Sequence, residues 1–191
     1  MIRLKNRWLF LIGVFLLGGV YFFPLWKISI AIPQYPKEIA IHIWISKIEN
    51  ASEKAMEIMN VLNHNIGMKE INPDAVPELK FFPWILGILI LLGVIIFIQE
   101  KRIFRLAYLV LTVILLSLAL YDFYLWEYDY GHNLADDAPL KIENSSFQPP
   151  LIGQKTIANF IVRSVPMTGA VFPLVSTVTM LLTVIKEKRS Q

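Results

Sequence analysis

The sequence predicts an all-α transmembrane fold: a four-helix membrane bundle with a small extracytoplasmic α+β cap, the whole forming one membrane domain. Three observations carry this. Four apolar stretches run over 8–26, 81–98, 106–121 and 166–185, each close to the ~20 residues a helix needs to cross ~30 Å of hydrocarbon. Basic and acidic flanks alternate between them. Two longer polar segments, 27–80 and 122–165, fall on the same side and are available to fold together as the cap.

Orientation follows from the flanks. Arg3, Lys5, Arg7, Lys101, Arg102, Arg105, Lys186, Lys188 and Arg189 stand in the short segments 1–7, 99–105 and 186–191 against only Glu100 and Glu187. Cytoplasmic loops retain Lys and Arg during insertion, so both termini are expected in the cytoplasm of a bacterial cell and the cap outside its inner membrane. The net charge of +3 is therefore mostly a topology signal. No basic patch interleaved with aromatics points to nucleic acid.

Taking the elements in order, Met1–Arg7 with the apolar run behind it has the form of an export signal. Small residues at cleavage spacing are missing, however, and Tyr21-Phe22-Phe23-Pro24-Leu25-Trp26 stands in their place, so a retained anchor is expected. Cysteine is absent, which excludes disulfides, zinc ribbons and thiolate-ligated metal centres within this chain.

In 27–49, Ile28, Ile30 and Ile32 alternate with Ser29 and Ala31. After Pro33-Gln34-Tyr35-Pro36 the alternation resumes at Ile39, Ile41, Ile43 and Ile45. Period-two apolar spacing predicts a two-stranded antiparallel ribbon with its Ile face buried and His42 beside Trp44 on the other face. Residues 51–66 predict a helix, since Ala55, Ile58, Met59, Leu62 and Ile66 share one face. Asn50 with Glu53 resembles a capping box, and Gly67 is placed to close the helix in a left-handed turn.

His64 falls in the last turn of that helix, where the carbonyl end favours a cation and suits an imidazolium or a bound metal. Met68 follows beyond Gly67. Met56 and Met59 add thioethers nearby, although Met59, on the apolar face, reads first as a core residue filling an irregular gap.

The third span runs on into Tyr121-Asp122-Phe123-Tyr124-Leu125-Trp126-Glu127-Tyr128-Asp129-Tyr130-Gly131-His132. Part of this aromatic density belongs to a membrane–water interface. If the helix continues to Tyr130, then Asp122, Trp126 and Asp129 share a face, with His132 just past its end at Gly131. Asp122 sits close to the hydrocarbon boundary, where an ionisable group is costly and is usually paired or functional. Asp122 or Asp129 could also hold a metal-bound imidazole in one tautomer.

Segment 134–165 predicts an irregular loop, then a short interfacial helix over Leu151–Val165. Arg163 is placed to pair with Asp122 or Asp129. Asn144-Ser145-Ser146 fits a glycosylation triplet, a pattern too common to carry weight.

Three stretches carry a resemblance. Asn63-His64-Asn65-Ile66-Gly67-Met68-Lys69, the run Leu120–Leu134, and Gln148-Pro149-Pro150-Leu151-Ile152-Gly153 resemble a family of small four-span bacterial membrane proteins associated with copper maturation of nitrous oxide reductase in Bacteroidota. The likeness covers roughly residues 35–165. It implies a membrane-anchored accessory protein for copper handling or cuproenzyme maturation, a copper association at His64, Met68 and His132, and a periplasmic copper protein or membrane-complex subunit as partner alongside the lipid bilayer. The copper-chaperone lipoprotein of that system is excluded, because a lipobox needs cysteine.

The residues themselves support copper independently but less strongly. Imidazole and thioether suit copper, whereas Mg²⁺ and Ca²⁺ prefer carboxylate oxygen. Folding would have to assemble the expected ligands, His64, Met68 and His132 with Asp129 and Asp122, from separate segments. No phosphate loop, nucleophile elbow or His-Glu-x-x-His helix suggests an enzyme. Two other readings stand beside the accessory protein: a structural or docking subunit of a membrane complex, and a copper-binding subunit of a membrane oxidase or monooxygenase.

Overall fold

The computed structural model describes residues 2–33, 37–99, 101–136, 138–139, 147–157 and 159–189. Its elements in chain order are α1 (Ile2–Leu16), β1 (Trp26–Ala31), β2 (Ile39–Ile43), β3 (Ile48–Asn50), α2 (Ala55–Ile66), α3 (Glu78–Ile98), α4 (Arg102–His132), β4 (Gly153–Ile157), β5 (Phe160–Pro166) and α5 (Thr168–Arg189).

Three helices, α3, α4 and α5, are long and apolar enough to cross a membrane. Each is uniformly apolar around much of its circumference, as lipid contact requires, because no side of such a helix faces water. The first expected span is shorter than its apolar run. Its α-helix stops at Leu16 and a 3₁₀ turn over Leu17–Tyr21 follows, leaving Arg7–Tyr21 as a shorter apolar helix. The 8–26 run overshoots because Phe22–Trp26 is apolar for another reason: Pro24 ends the helix and Trp26 begins a strand.

α1 packs chiefly on α5. A Cβ on Gly13 would lie 2.7 Å from Met180, so the small residue permits the close approach, and Ser176 Oγ donates to Gly13 O at 2.6 Å. Phe10, Val14, Leu17, Leu86, Leu89, Tyr108 and Met180 fill the bundle interior. Tyr108 hydroxyl donates to Leu89 O at 3.1 Å, joining α4 to α3.

At the bundle end away from the cap, basic residues are tied down. Arg105 and Glu187 form a buried pair, Nη2 to Oε1 at 2.7 Å and Nε to Oε2 at 3.1 Å, while Arg105 Nη1 also donates to Gln99 O. Arg7 donates to Phe97 O and Arg102 to Val184 O.

The cap is more than a ribbon. It holds a five-stranded antiparallel sheet in the order β3-β2-β1-β5-β4, so the expected class is corrected from all-α to a helical bundle joined to an α+β unit. The two Ile-rich strands pair as the alternation required, Ile28 opposite Ile41. The expected helix over Leu151–Val165 is instead the β4–β5 hairpin. Within β5, Val162 and Ser164 are buried while Ile161, Arg163 and Val165 are exposed. That period-two pattern was masked because one inward residue, Ser164, is polar.

Trp26 Nε1 donates to Ser164 Oγ at 2.7 Å, and Ser164 in turn donates to Leu151 O. This chain stitches β1 and β5 to the preceding segment.

α2 lies over the sheet, burying Ala55, Met59, Asn63 and Ile66. It starts at Ala55 rather than 51, since Lys54 adopts a left-handed conformation. Asn50 still caps it, accepting from Met56 N at 2.8 Å, but without the reciprocal box.

α4 runs on past the apolar stretch, which ends near Tyr121. Its last eleven residues, 122–132, rise about 16 Å beyond the bundle into the cap. Phe123 and Trp126 pack there against the cap core.

Candidate functional site

The site is built where α2, the far end of α4 and the sheet meet. Gly67 closes α2 at φ +77°, with Met68 N donating to Asn63 O and Gly67 N to His64 O. This paired closure satisfies the last carbonyls of the helix. Asn60 then grips the next residues from both sides, accepting from Ile71 N and donating to Ile71 O.

The two outer segments join at this turn. Ala135 N donates to Gly67 O at 2.8 Å, Tyr130 hydroxyl donates to Glu70 O at 2.9 Å, and Lys69 Nζ lies 2.5 Å from Asp129 Oδ2. The third segment arrives alongside: Phe147 N donates to Gly131 O, and a Cβ on Gly131 would sit 2.2 Å from the Gln148 backbone. The stretches 63–69, 120–134 and 148–153 are thus neighbours.

The individual residues expected to bind metal stand as follows. His64 is exposed in the last turn of α2. Met68 is half-buried, packed against the cap core. His132 is the last residue of α4 rather than the first beyond it; its ring is exposed, stacked on Tyr128 at 3.9 Å, with Nδ1 3.0 Å from Tyr128 O. Asp129 is engaged by Lys69 and by the Asn133 amide. These hydrogen bonds hold its carboxyl below the usual carboxylate range. Asp122 is half-buried about two turns nearer the bundle.

Arg163 pairs with neither aspartate; it takes Glu38 and the Gln154 side chain. The Asn144-Ser145-Ser146 triplet lies outside the described residues. Among the described residues, no group of three or more His, Asp or Glu side chains is disposed around a common point. Of the copper donors named from the sequence, both imidazoles are exposed and Asp129 is engaged by a lysine.

Sequence reasoning missed Glu127. It is fully buried, at 0 % exposure, and neither carboxyl oxygen has a hydrogen-bond partner among the described residues. Ser164 is the neighbouring hydroxyl, but its proton is given to Leu151 O and its oxygen accepts from Trp26. Burial pushes the Glu127 carboxyl up to about 8, against a smaller opposing pull from Ser164, so at neutral pH it is mostly an uncharged acid.

Glu127 borders a cavity of about 60 Å³ bounded by the sheet, α2 and α4, whose other walls include Ile41, Met59, Met68, Trp126 and Tyr130, although its carboxyl oxygens themselves are closed off from that space. The signal was present: Phe123, Glu127 and Tyr130 fall at i, i+4, i+7, a face that is otherwise aromatic.

Comparison with known protein families and with curated proteins finds no match to this chain.

Proposed function

We propose that this chain is a membrane-anchored accessory protein, seated in the bacterial inner membrane by four helices including the shorter α1, with both termini cytoplasmic and the cap outside. In this reading it assists copper handling or cuproenzyme maturation by docking a partner, not by keeping a resident copper centre.

One observation carries the proposal. The three segments that bear the family resemblance, distant in the chain, meet around Gly67, Gly131 and Gln148, so whatever that family does with them is done at one place. The outward imidazoles of His64 and His132 suit a passing contact with a partner's metal better than storage, because a retained ion needs several donors converging at fixed distances.

A docking role without any copper is the second reading. Tyr124, Tyr128 and His132 form an exposed row on α4, each ring packed on the next. Aromatic residues are over-represented at protein interfaces.

The test is a cell in which a copper enzyme of the same membrane system is assayed for metal content. The His64→Ala, His132→Ala double variant is expected to insert and fold normally yet to lower copper loading of that enzyme several-fold. Unchanged loading with the partner still co-purifying would favour the pure scaffold. About one copper per chain, retained through chelation of the gently solubilised wild type, would overturn docking in favour of a carrier.

A further inference from the structure

One face of α4 is exposed from end to end. Positions 103, 107, 110, 114, 117, 121, 124 and 128 recur at intervals that alternate between four and three residues, and every one of them is exposed. That is the spacing of a seam along which a second helix packs at a shallow, left-handed crossing. The opposite face, with Tyr108, Leu109, Thr112, Glu127 and Tyr130, is buried against the bundle and the cap.

Lipid accounts for only part of this face. Ala107, Val110, Ile114 and Ser117 lie within the apolar stretch, where hydrocarbon covers them. The face then continues, without turning, past Asp122. Tyr121 is 58 % exposed, Leu125 44 % and Tyr128 45 %. A headgroup layer is only about 5–7 Å deep, whereas Tyr128 stands about 10 Å beyond Tyr121 along the helix. An interfacial aromatic belt therefore explains Tyr121 and Tyr124 but not Tyr128. Tyr128 packs on Tyr124 and on His132, so the row is already ordered as an apolar surface in water.

We propose that a second copy of this chain covers the seam with its own, the two α4 helices standing side by side and the same way up about a two-fold axis along the membrane normal.

Three features favour a copy over an unrelated partner. The occupant has to span the bilayer and also rise out of the same leaflet, because the lipid-level and water-level positions form one straight face. A copy inserted the same way up supplies a 31-residue helix that meets both at matching depths. Second, nothing on the seam repels its own image: between 103 and 121 the one charged residue is Arg105, which is buried in its pair with Glu187. Third, the exposed Ser117 hydroxyl makes no hydrogen bond among the described residues, whereas Thr112, Ser176 and Thr183 each donate to a backbone carbonyl. A hydroxyl both donates and accepts, so two Ser117 side chains meeting near the axis satisfy one another, and with Ala107 they are small enough to let the helices approach.

The seam is also long enough. From 103 to 128 it runs about 38 Å, and two copies in contact along it bury on the order of 1,200 Å², above the ~1,000 Å² expected of a specific interface.

This deepens the docking reading by naming the occupant of the Tyr124, Tyr128 and His132 row, and it rests on α4 crossing the bilayer with 122–132 outside. It does not depend on copper, so the copper-loading assay and the test below fail separately.

The chain has no cysteine, so a single introduced thiol reports its own surroundings alone. Full-length variants are oxidised mildly in native membranes and the disulfide-linked dimer is followed with time. Val110→Cys, Ser117→Cys and Tyr128→Cys are expected to link at least about tenfold faster than Ile88→Cys on α3 or Leu174→Cys on α5, which are exposed but off the seam. Adding Tyr124→Lys and Tyr128→Lys to Val110→Cys sets like charges against each other outside the bilayer and should slow linkage at least about fivefold. No linkage at the seam would overturn the proposal, as would linkage at Ile88→Cys or Leu174→Cys just as fast. Linkage of the seam thiols to a different protein in place of the dimer would overturn it too, and would give the row to a heterologous partner. An unchanged rate in the lysine variant would equally overturn it, since the tyrosines would then lie outside the contact. The comparison of seam with off-seam positions needs no lysine variant, so it stands even if that variant fails to fold.

Discussion

Among the described residues two glutamates are buried, one at each end of the molecule, and they are handled in opposite ways. Glu187, at the end away from the cap, meets the Arg105 guanidinium at two points, and the arginine's third nitrogen, Nη1, donates to Gln99 O. Glu127, in the cap, meets no partner among the described residues. The first arrangement is complete and fixes α5 to α4. The second leaves a costly group unsatisfied in an apolar hollow, and such a group persists only where something is gained by keeping it. The lesson is that burial of a charge is not itself the functional sign; burial without compensation is.

Breaking the compensated pair should have the largest effect. Arg105→Ala strands Glu187 without its partner, and a loss of about 3–5 kcal/mol is expected, read as a lower unfolding temperature in micelles. Replacing both members by Met should restore most of that loss, since a well-packed apolar pair can substitute for a buried ion pair.

The uncompensated acid should reveal itself through pH. With its folded value raised to about 8 from an ordinary 4.5, Glu127 stays protonated in the fold while the unfolded chain gives up its proton. Stability contributed by this group is therefore full below about 4.5 and declines as pH rises towards 8. The loss between pH 4.5 and pH 7 is about 3 kcal/mol. Wild type compared with Glu127→Gln across that interval isolates it, because Asp129, whose value is lowered, works in the other direction and is common to both.

A smaller effect is expected at the joint that holds the cavity together. Gly131→Ala places a Cβ against the Gln148 backbone, and displacing backbone in a packed region costs about 1–3 kcal/mol. The smallest is at the surface. Lys69→Ala removes the exposed pair with Asp129 and should cost no more than about 1 kcal/mol, less at high salt.

How far the sequence revealed each region follows the same division. α3 and α4 were legible because lipid contact demands unbroken apolar runs, a pattern that tertiary packing scarcely alters. The apolar run overshoots α1 because Trp26 is apolar for the cap core and not for the bilayer. In the cap, the Ile alternation exposed β1 and β2, whereas β5 hid behind the inward Ser164 and the short β3 gave too few residues for a period.

At the site, Gly67 was legible from local chemistry, but the meeting of Gly67 with Ala135 and of Gly131 with Gln148 is long-range packing with no local signature. Glu127 escaped for a related reason. Flanked by Trp126 and Tyr128, it looks like one polar residue in an interfacial aromatic belt, and only the sheet folding over that face removes it from water.

The most direct test of the account is the protonation state of Glu127 itself. Infrared difference spectroscopy of wild type against Glu127→Gln at pH 7 should show the carbonyl stretch of a protonated carboxylic acid that is missing from the variant and that fades as pH is raised past 8. A carboxylate signal from this residue at pH 7 would mean that it is solvated or paired after all, and would contradict the distinction between the two buried acids.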